Sequence, residues 1–375
     1  MSDSLFPALS RRGFIAAAAA AALPLILDPE RAAAEQTEKK MESEEEKKTL
    51  LNANENPLGP CDAALTAISA LGARAGRYEF PATIELAKVI MDQEGLKEGY
   101  LALYPGASDP LQFSVLAFTQ DGRSLVTADP TYETPVLVAR AAKAYVNSVA
   151  LRPDLSHDVA RMAAADADAG CIYLCNPNNP TGTVTSRDDI YWLLTHKPRR
   201  AIVVVDESYI HFSDAKTVLD FALDDRDIVV LRSFSCFYGL AGLRIGFAVA
   251  RPDLLERLQL YGLNPLPLPG VVAARASLLD KSLVATRKAL NTRVRNATMD
   301  WLQQQGFDVT PSQTNFFMVN VKRPAEEYSK QLAHHNVLVG RIWPSWPNHI
   351  RVSVGTADEM RAFQHAFAQV AGHKG

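Results

Sequence analysis

Asp206 closes the uninterrupted apolar run 202–205, and a carboxylate at the mouth of a buried strand is costly unless it meets a cation. Tyr209 follows three residues later and brings a phenol to the same neighbourhood. Further along, Ser233, Ser235 and Arg244 supply two hydroxyls and a guanidinium, a set matched to a phosphate dianion. Between them Cys236 adds a thiol, whose pKa a cationic neighbour would lower. Gly106-Ala107-Ser108-Asp109-Pro110 opens a helix with Leu111, Val115 and Phe118 on its apolar face. A glycine there lets backbone N–H groups point at an anion that the helix dipole also favours. Taken alone, the stretch is better described as an ordinary helix capped by Ser108 or Asp109, with Pro110 in its first turn. Asn179 with the following Pro-Thr-Gly reads, alone, as a turn. Arg351 lies in the alternating run His-Ile-Arg-Val-Ser, where it suits a carboxylate in bidentate contact but, by itself, fits a solvent-facing strand position better.

These residues need a frame that brings distant segments together. Short β-branched runs at 124–128, 170–174, 201–205, 228–231 and 245–250 read as strands, several nearly all apolar as in buried parallel sheets. Helical patterns at 132–143, 187–195 and 216–223 alternate with them. The fold class is therefore α/β, a mostly parallel sheet between helices, and ligands of such sheets gather at the carboxyl ends of the strands. Asn176, Asp206 and Ser233 each fall at or just after such an end. After the proline-punctuated turn 265–269 one long helical stretch is predicted to run to Gln305, with Gly306 as its stop. The remainder reads as a smaller α+β domain, with strands at 314–321, 337–342 and 350–354 and helices at 324–334 and 357–370.

The 375 residues are 47% apolar with a formal charge of −3, enough to bury a large core, and they offer no basic block for nucleic acid. Residues 1–34 read as a separate segment: Arg11-Arg12, a short apolar run from Ala16 to Leu27, then Ala32-Ala33-Ala34. That is the pattern of a twin-arginine export signal, which predicts a periplasmic protein. About twelve apolar residues broken by Pro24 are too few to span a bilayer, and no longer run follows, so no membrane span is expected in the mature chain. Residues 35–50 read as a charged linker. Cys171 and Cys175 would sit about 13 Å apart on one strand, too far to bridge.

In combination the motifs resemble fold type I enzymes dependent on pyridoxal 5'-phosphate (PLP), most closely class I/II aminotransferases of the histidinol-phosphate aminotransferase type. The resemblance spans about 50–370 and rests on Asn54-Glu55-Asn56-Pro57, Arg77-Tyr78, Gly106-Ala107, the stretches 176–182, 206–209 and 239–244, and Arg351. It implies a large PLP-binding domain at 76–268 and a small domain from 51–75 and 269–375 that includes the long connecting helix. It also implies a homodimer moving an amino group from an amino acid to a 2-oxo acid by a ping-pong mechanism. By the family pattern Asp206 faces the pyridinium nitrogen, Asn179 and Tyr209 the ring oxygen, and Tyr132 stacks on the ring. Ala107, Ser108, Ser233, Ser235 and Arg244 hold the phosphate, with Tyr78 reaching it from the other subunit. Arg351, helped by Asn315, binds the substrate α-carboxylate, and Asn54 joins the substrate side.

Two positions depart from that pattern. The family's Schiff-base lysine is here Cys236, and a thiol forms no stable imine. Lys216, ten residues past Asp206 in a predicted helix, does not replace it. Three readings stay open: a substitution of a parental lysine among otherwise intact motifs, a PLP or pyridoxamine phosphate enzyme using another base such as Tyr132, or a non-catalytic binder of PLP or an amino acid. The second departure is Gly340, where histidinol-phosphate aminotransferases carry an arginine directly after the Val-x-Val strand. Arg341 follows one place on and is expected to point away, since one strand position reverses the facing. Trp343 and Trp346 nearby suit either an apolar or aromatic substrate or plain packing.

Overall fold

The computed structural model describes residues 48–120, 122–262 and 264–372. The expected signal at 1–34, and the linker as far as residue 47, lie outside the described residues. The linker's expected end at 50 is corrected, because Thr49 and Leu50 already belong to a strand.

The chain starts with β1 (Thr49–Leu51), α1 (Asp62–Ser69), α2 (Phe80–Glu94), β2 (Leu101–Tyr104) and α3 (Ser108–Phe118). Then come β3 (Ser124–Asp129), α4 (Thr134–Ala141), β4 (Val146–Ala150), α5 (Val159–Ala164), β5 (Ala169–Cys175) and α6 (Arg187–His196). The sheet is completed by β6 (Ile202–Asp206), α7 (Leu219–Leu223), β7 (Ile228–Ser233) and β8 (Gly246–Val249). The rest comprises α8 (Pro252–Gln259), α9 (Leu268–Leu279), α10 (Leu283–Gln304), β9 (Asp308–Val309), β10 (Phe316–Asn320), α11 (Ala325–His334), β11 (Val337–Val339), β12 (His349–Ser353) and α12 (Ala357–Ala371).

Seven strands form the main sheet in the order β2-β8-β7-β6-β5-β3-β4. Strands β3 to β7 pair in parallel, and β8 runs antiparallel to both its neighbours. Every residue of β5, β6 and β7 is buried, which is why these strands are nearly all apolar instead of alternating, with Asp206, Arg232 and Ser233 as polar residues at their carboxyl ends. Register sets Cys175 opposite Asp206 and Asp206 opposite Leu231, so the carboxyl ends of the three strands finish side by side.

A second, smaller core lies around the antiparallel sheet β12-β10-β9, with α11 and α12 against it and β1 paired to β11. Along β12, Ile350 and Val352 enter this core, so the two-residue period turns Arg351 and Ser353 to the opposite face. The large core extends beyond the expected 76–268: Ala64 of α1 and Val271, Ala273 and Ala274 of α9 belong to it, because these two helices pack on each other and beside the main sheet. The smaller core takes in Leu51 of β1 and, within α10, residues from Leu290 and Val294 onward. The single long helix expected before Gln305 is in fact two, α9 and α10. At the break Asp280 Oδ1 accepts hydrogen bonds from the backbone N–H (3.0 Å) and hydroxyl (2.7 Å) of Ser282, a local turn that competes with helix. No helix among the described residues is long and apolar enough to cross a membrane.

Candidate active site

A cavity of ≈ 490 Å³ opens over the carboxyl ends of β5, β6 and β7. Asp206, the last residue of β6, lies in its floor, only 5% exposed. Its Oδ1 accepts from the Ser208 hydroxyl (2.5 Å) and backbone N–H (3.0 Å), and its Oδ2 from the Tyr173 hydroxyl (3.2 Å). Burial nevertheless raises its pKa above the ordinary carboxylate value, with those hydrogen bonds pulling the other way. Such a group is held in readiness for a cation.

On one side the cavity is bounded by Ala107, Ser108, Ser233, Ser235 and Arg244. Helix α3 begins at Ser108 with Ala107 in the N-cap position and no side-chain cap, so the capping expected of Ser108 or Asp109 is absent and the first N–H groups stay available. Arg244 adopts a left-handed φ of 52° after the short turn Ala241–Leu243, and its guanidinium donates to Ser235 Oγ at 3.3 Å. Gly106 has φ +89°, and a Cβ there would lie 2.3 Å from Arg244 Nη2; only glycine leaves room for that arginine beside the helix end. Among the described residues Arg244 forms no ion pair. A free helix N-terminus, two hydroxyls and a guanidinium that also donates to the Ala241 carbonyl (3.1 Å) but meets no carboxylate among the described residues fit a phosphate dianion.

The other side is built from the smaller core. Tyr209 Oη accepts from Asn54 Nδ2 (3.1 Å) and Asn179 Nδ2 (3.5 Å), while Phe316 packs edge-on at 4.8 Å. Burial raises the Tyr209 pKa well above the ordinary phenol value. Arg351 donates to Asn179 Oδ1 (2.9 Å) and to the Asn52 carbonyl (2.6 Å), its Nε has no partner, and it forms no ion pair among the described residues. It is 5% exposed rather than solvent-facing, and burial lowers its pKa from the ordinary guanidinium value. A buried cation with an unused donor fits a carboxylate. Asn315, by contrast, does not line this cavity; its Nδ2 donates to the Asn54 carbonyl at 2.8 Å and holds that segment in place.

Cys236 and Cys175 both line the cavity, and no lysine does among the described residues. Lys216 lies in the loop ahead of α7, not in the predicted helix. Burial pushes the Cys236 thiol up to about 12, against the opposing pull of the Tyr209 hydrogen bond and the Arg351 charge. The cationic neighbour expected to produce a thiolate is thus outweighed. Tyr132 lines the cavity as expected. Tyr78 does not: it is 69% exposed, stacked on Phe80 at a separate surface groove.

Arg341 was expected to turn away, and the structure corrects this by placing it in the cavity wall, paired with Glu133. The strand β11 ends at Val339, so the two-residue alternation no longer governs position 341. Trp343 is buried, donates Nε1–H to the Thr131 carbonyl at 2.8 Å and supports the wall without lining it; Trp346 packs on His349. Tyr173, Ser208, Glu133 and Ser353 were not singled out from sequence. Ser208 had a legible signal, two residues past the acid where an Asx turn closes, and the others are brought in by tertiary contact.

The fold and cavity define an α/β protein able to hold a phosphorylated, cation-bearing ligand next to a carboxylate-binding arginine. The family model for aminotransferase class I and II matches residues 46–367, and the chain belongs to that family. A histidinol-phosphate aminotransferase 2 of Methylococcus capsulatus is 31% identical, over 85% of this chain and 89% of that protein. An aromatic amino acid aminotransferase of Cutibacterium acnes is also 31% identical, over 84% and 90%. Among solved structures, the histidinol-phosphate aminotransferase of Sinorhizobium meliloti in complex with pyridoxal-5'-phosphate shares the fold at a TM-score of 0.79 and 24% identity, covering 86% of this chain and 90% of that one.

Proposed function

We propose that this protein binds PLP together with an α-amino acid or a 2-oxo acid, and that with Cys236 in place it transfers the amino group only slowly. One observation carries the reading: Arg244 and Arg351, neither paired with a carboxylate among the described residues, open onto one cavity with the buried Asp206. The cofactor is PLP, which when bound supplies an electron sink for charge developing at the substrate α-carbon. Asp206 would meet its ring nitrogen, Asn179 and Tyr209 its ring oxygen, and Tyr132 its face. Ala107, Ser108, Ser233, Ser235 and Arg244 would hold its phosphate.

Arg351 orients the substrate through its carboxylate, with Asn54 and Asn315 fixing the neighbouring segment. Cys236 forms no stable imine and so does not anchor the cofactor, and burial raises its thiol pKa, which disfavours the thiolate that would accept the α-proton. Loss of a positioned base costs about 10²–10⁴-fold in rate. A homodimer is part of the reading and is supported by Tyr78, which lies outside its own chain's cavity and exposed. Export to the periplasm is proposed on the Arg11-Arg12 segment alone.

Cys236→Lys tests the reading. The variant is expected to become covalently loaded with cofactor on borohydride reduction and to transaminate at least about 10²-fold faster than the parent. Covalent loading without turnover of any amino acid would favour a binding protein. Failure of both variants to bind PLP would overturn the assignment of the cavity.

A further inference from the structure

Arg341 is the second guanidinium on the substrate side of the cavity, and its surroundings differ from those of Arg351. It is 43% exposed, in ion contact with Glu133, and lies 4.9 Å from the Trp343 ring and 5.6 Å from the Tyr132 ring. Glu133 stands at the N-cap of α4 but makes no capping hydrogen bond, so its carboxylate is committed to Arg341. A side chain at the adjoining residue would crowd Arg351, since a Cβ on Gly340 would lie 2.8 Å from Arg351 Nε. Trp343 lies between the two arginines, 5.5 Å from Arg351, and is pinned by its hydrogen bond to Thr131.

We propose that Glu133 determines the charge class of the substrate. By neutralising Arg341 it selects an amino acid with an uncharged, apolar or aromatic side chain over one carrying a second anion. This rests on the reading of Arg351 as the α-carboxylate site. Once Arg351 is occupied, the Arg341–Glu133 pair sums to zero charge, and Arg341 lies beside Tyr132 in the cavity lining, where a neutral side chain meets no net charge. A side-chain carboxylate or phosphate must instead pull Arg341 away and leave the Glu133 carboxylate, 32% exposed, facing another anion.

The test is calorimetric titration of the full chain, saturated with PLP, with two non-reacting probes: 3-phenylpropanoate, a monocarboxylate, and glutarate, a dicarboxylate. The parent is expected to bind 3-phenylpropanoate more tightly. Glu133→Gln should move the affinity ratio toward glutarate by roughly tenfold or more, and Glu133→Gln combined with Arg341→Gln should reverse that shift. A ratio unchanged in Glu133→Gln, or a parent that already prefers glutarate, overturns the proposal and leaves the carboxylate site standing. Binding of neither probe to any variant overturns both.

Discussion

In the proposed reading cofactor affinity turns on Asp206, a buried acid at the floor of the cavity. Its folded pKa is raised above the ordinary value of 3.8 by burial, so acidification protonates it sooner than a free aspartate. PLP affinity should therefore fall as the pH is lowered toward that raised value, since the protonated acid no longer attracts a ring cation. Asp206→Asn should weaken PLP binding about tenfold or more at neutral pH and remove most of this pH dependence. Equilibrium dialysis from pH 7 to pH 5 checks both, and equal binding by the two proteins throughout would dismiss the role of the carboxylate. The acid at the end of an apolar run was legible in sequence as a residue in need of a partner. Tyr173 was not, because its hydroxyl reaches Asp206 only where β5 lies beside β6.

Elements aim these side chains through their ends. Strand β12 delivers Arg351 to the cavity because Ile350 and Val352 commit the opposite face to the smaller core. The residue just past β11 must then be small: at Gly340 a Cβ would meet Arg351 Nε at 2.8 Å and its carbonyl oxygen at 3.0 Å. Gly340→Ala should displace that guanidinium and weaken 3-phenylpropanoate binding roughly tenfold, with PLP binding unchanged. Loss of both together would instead indicate a general collapse of the site. Most strands and helices were readable from their periodicity, with ends shifted by a few residues. The division of α9 from α10 was not, since aspartate and serine as residue types also occur inside continuous helices.

At the level of the whole molecule, the cavity joins a large parallel-sheet core to a smaller antiparallel one. His157 is buried and His211 partly so, and desolvation, as the main cause, lowers their pKa values from 6.5 to about 4 and about 3. The unfolded chain takes up these protons below about pH 6.5 and the folded chain refuses them, so stability falls as pH drops through that range. By pH 5 the loss relative to pH 7 is about 2 kcal/mol per histidine. Urea unfolding midpoints at the two pH values should show the drop, and His157→Gln should flatten it in part. A midpoint insensitive to pH would contradict the buried neutral state.

Local chemistry made five strands of the sheet, several of its helices and the candidate phosphate residues visible in advance, because a buried parallel strand must be apolar and a charged residue at its end needs a partner; the edge strands β2 and β4 were not read. Position 236 was equally plain, since it is a single letter in a dense motif. The fate of Arg341, the commitment of Glu133 to it and the surroundings that raise the Cys236 pKa were decided by packing between segments distant in the chain. Charge pairing and desolvation depend on what lies across a few ångströms of space, and that distance is not encoded along the chain.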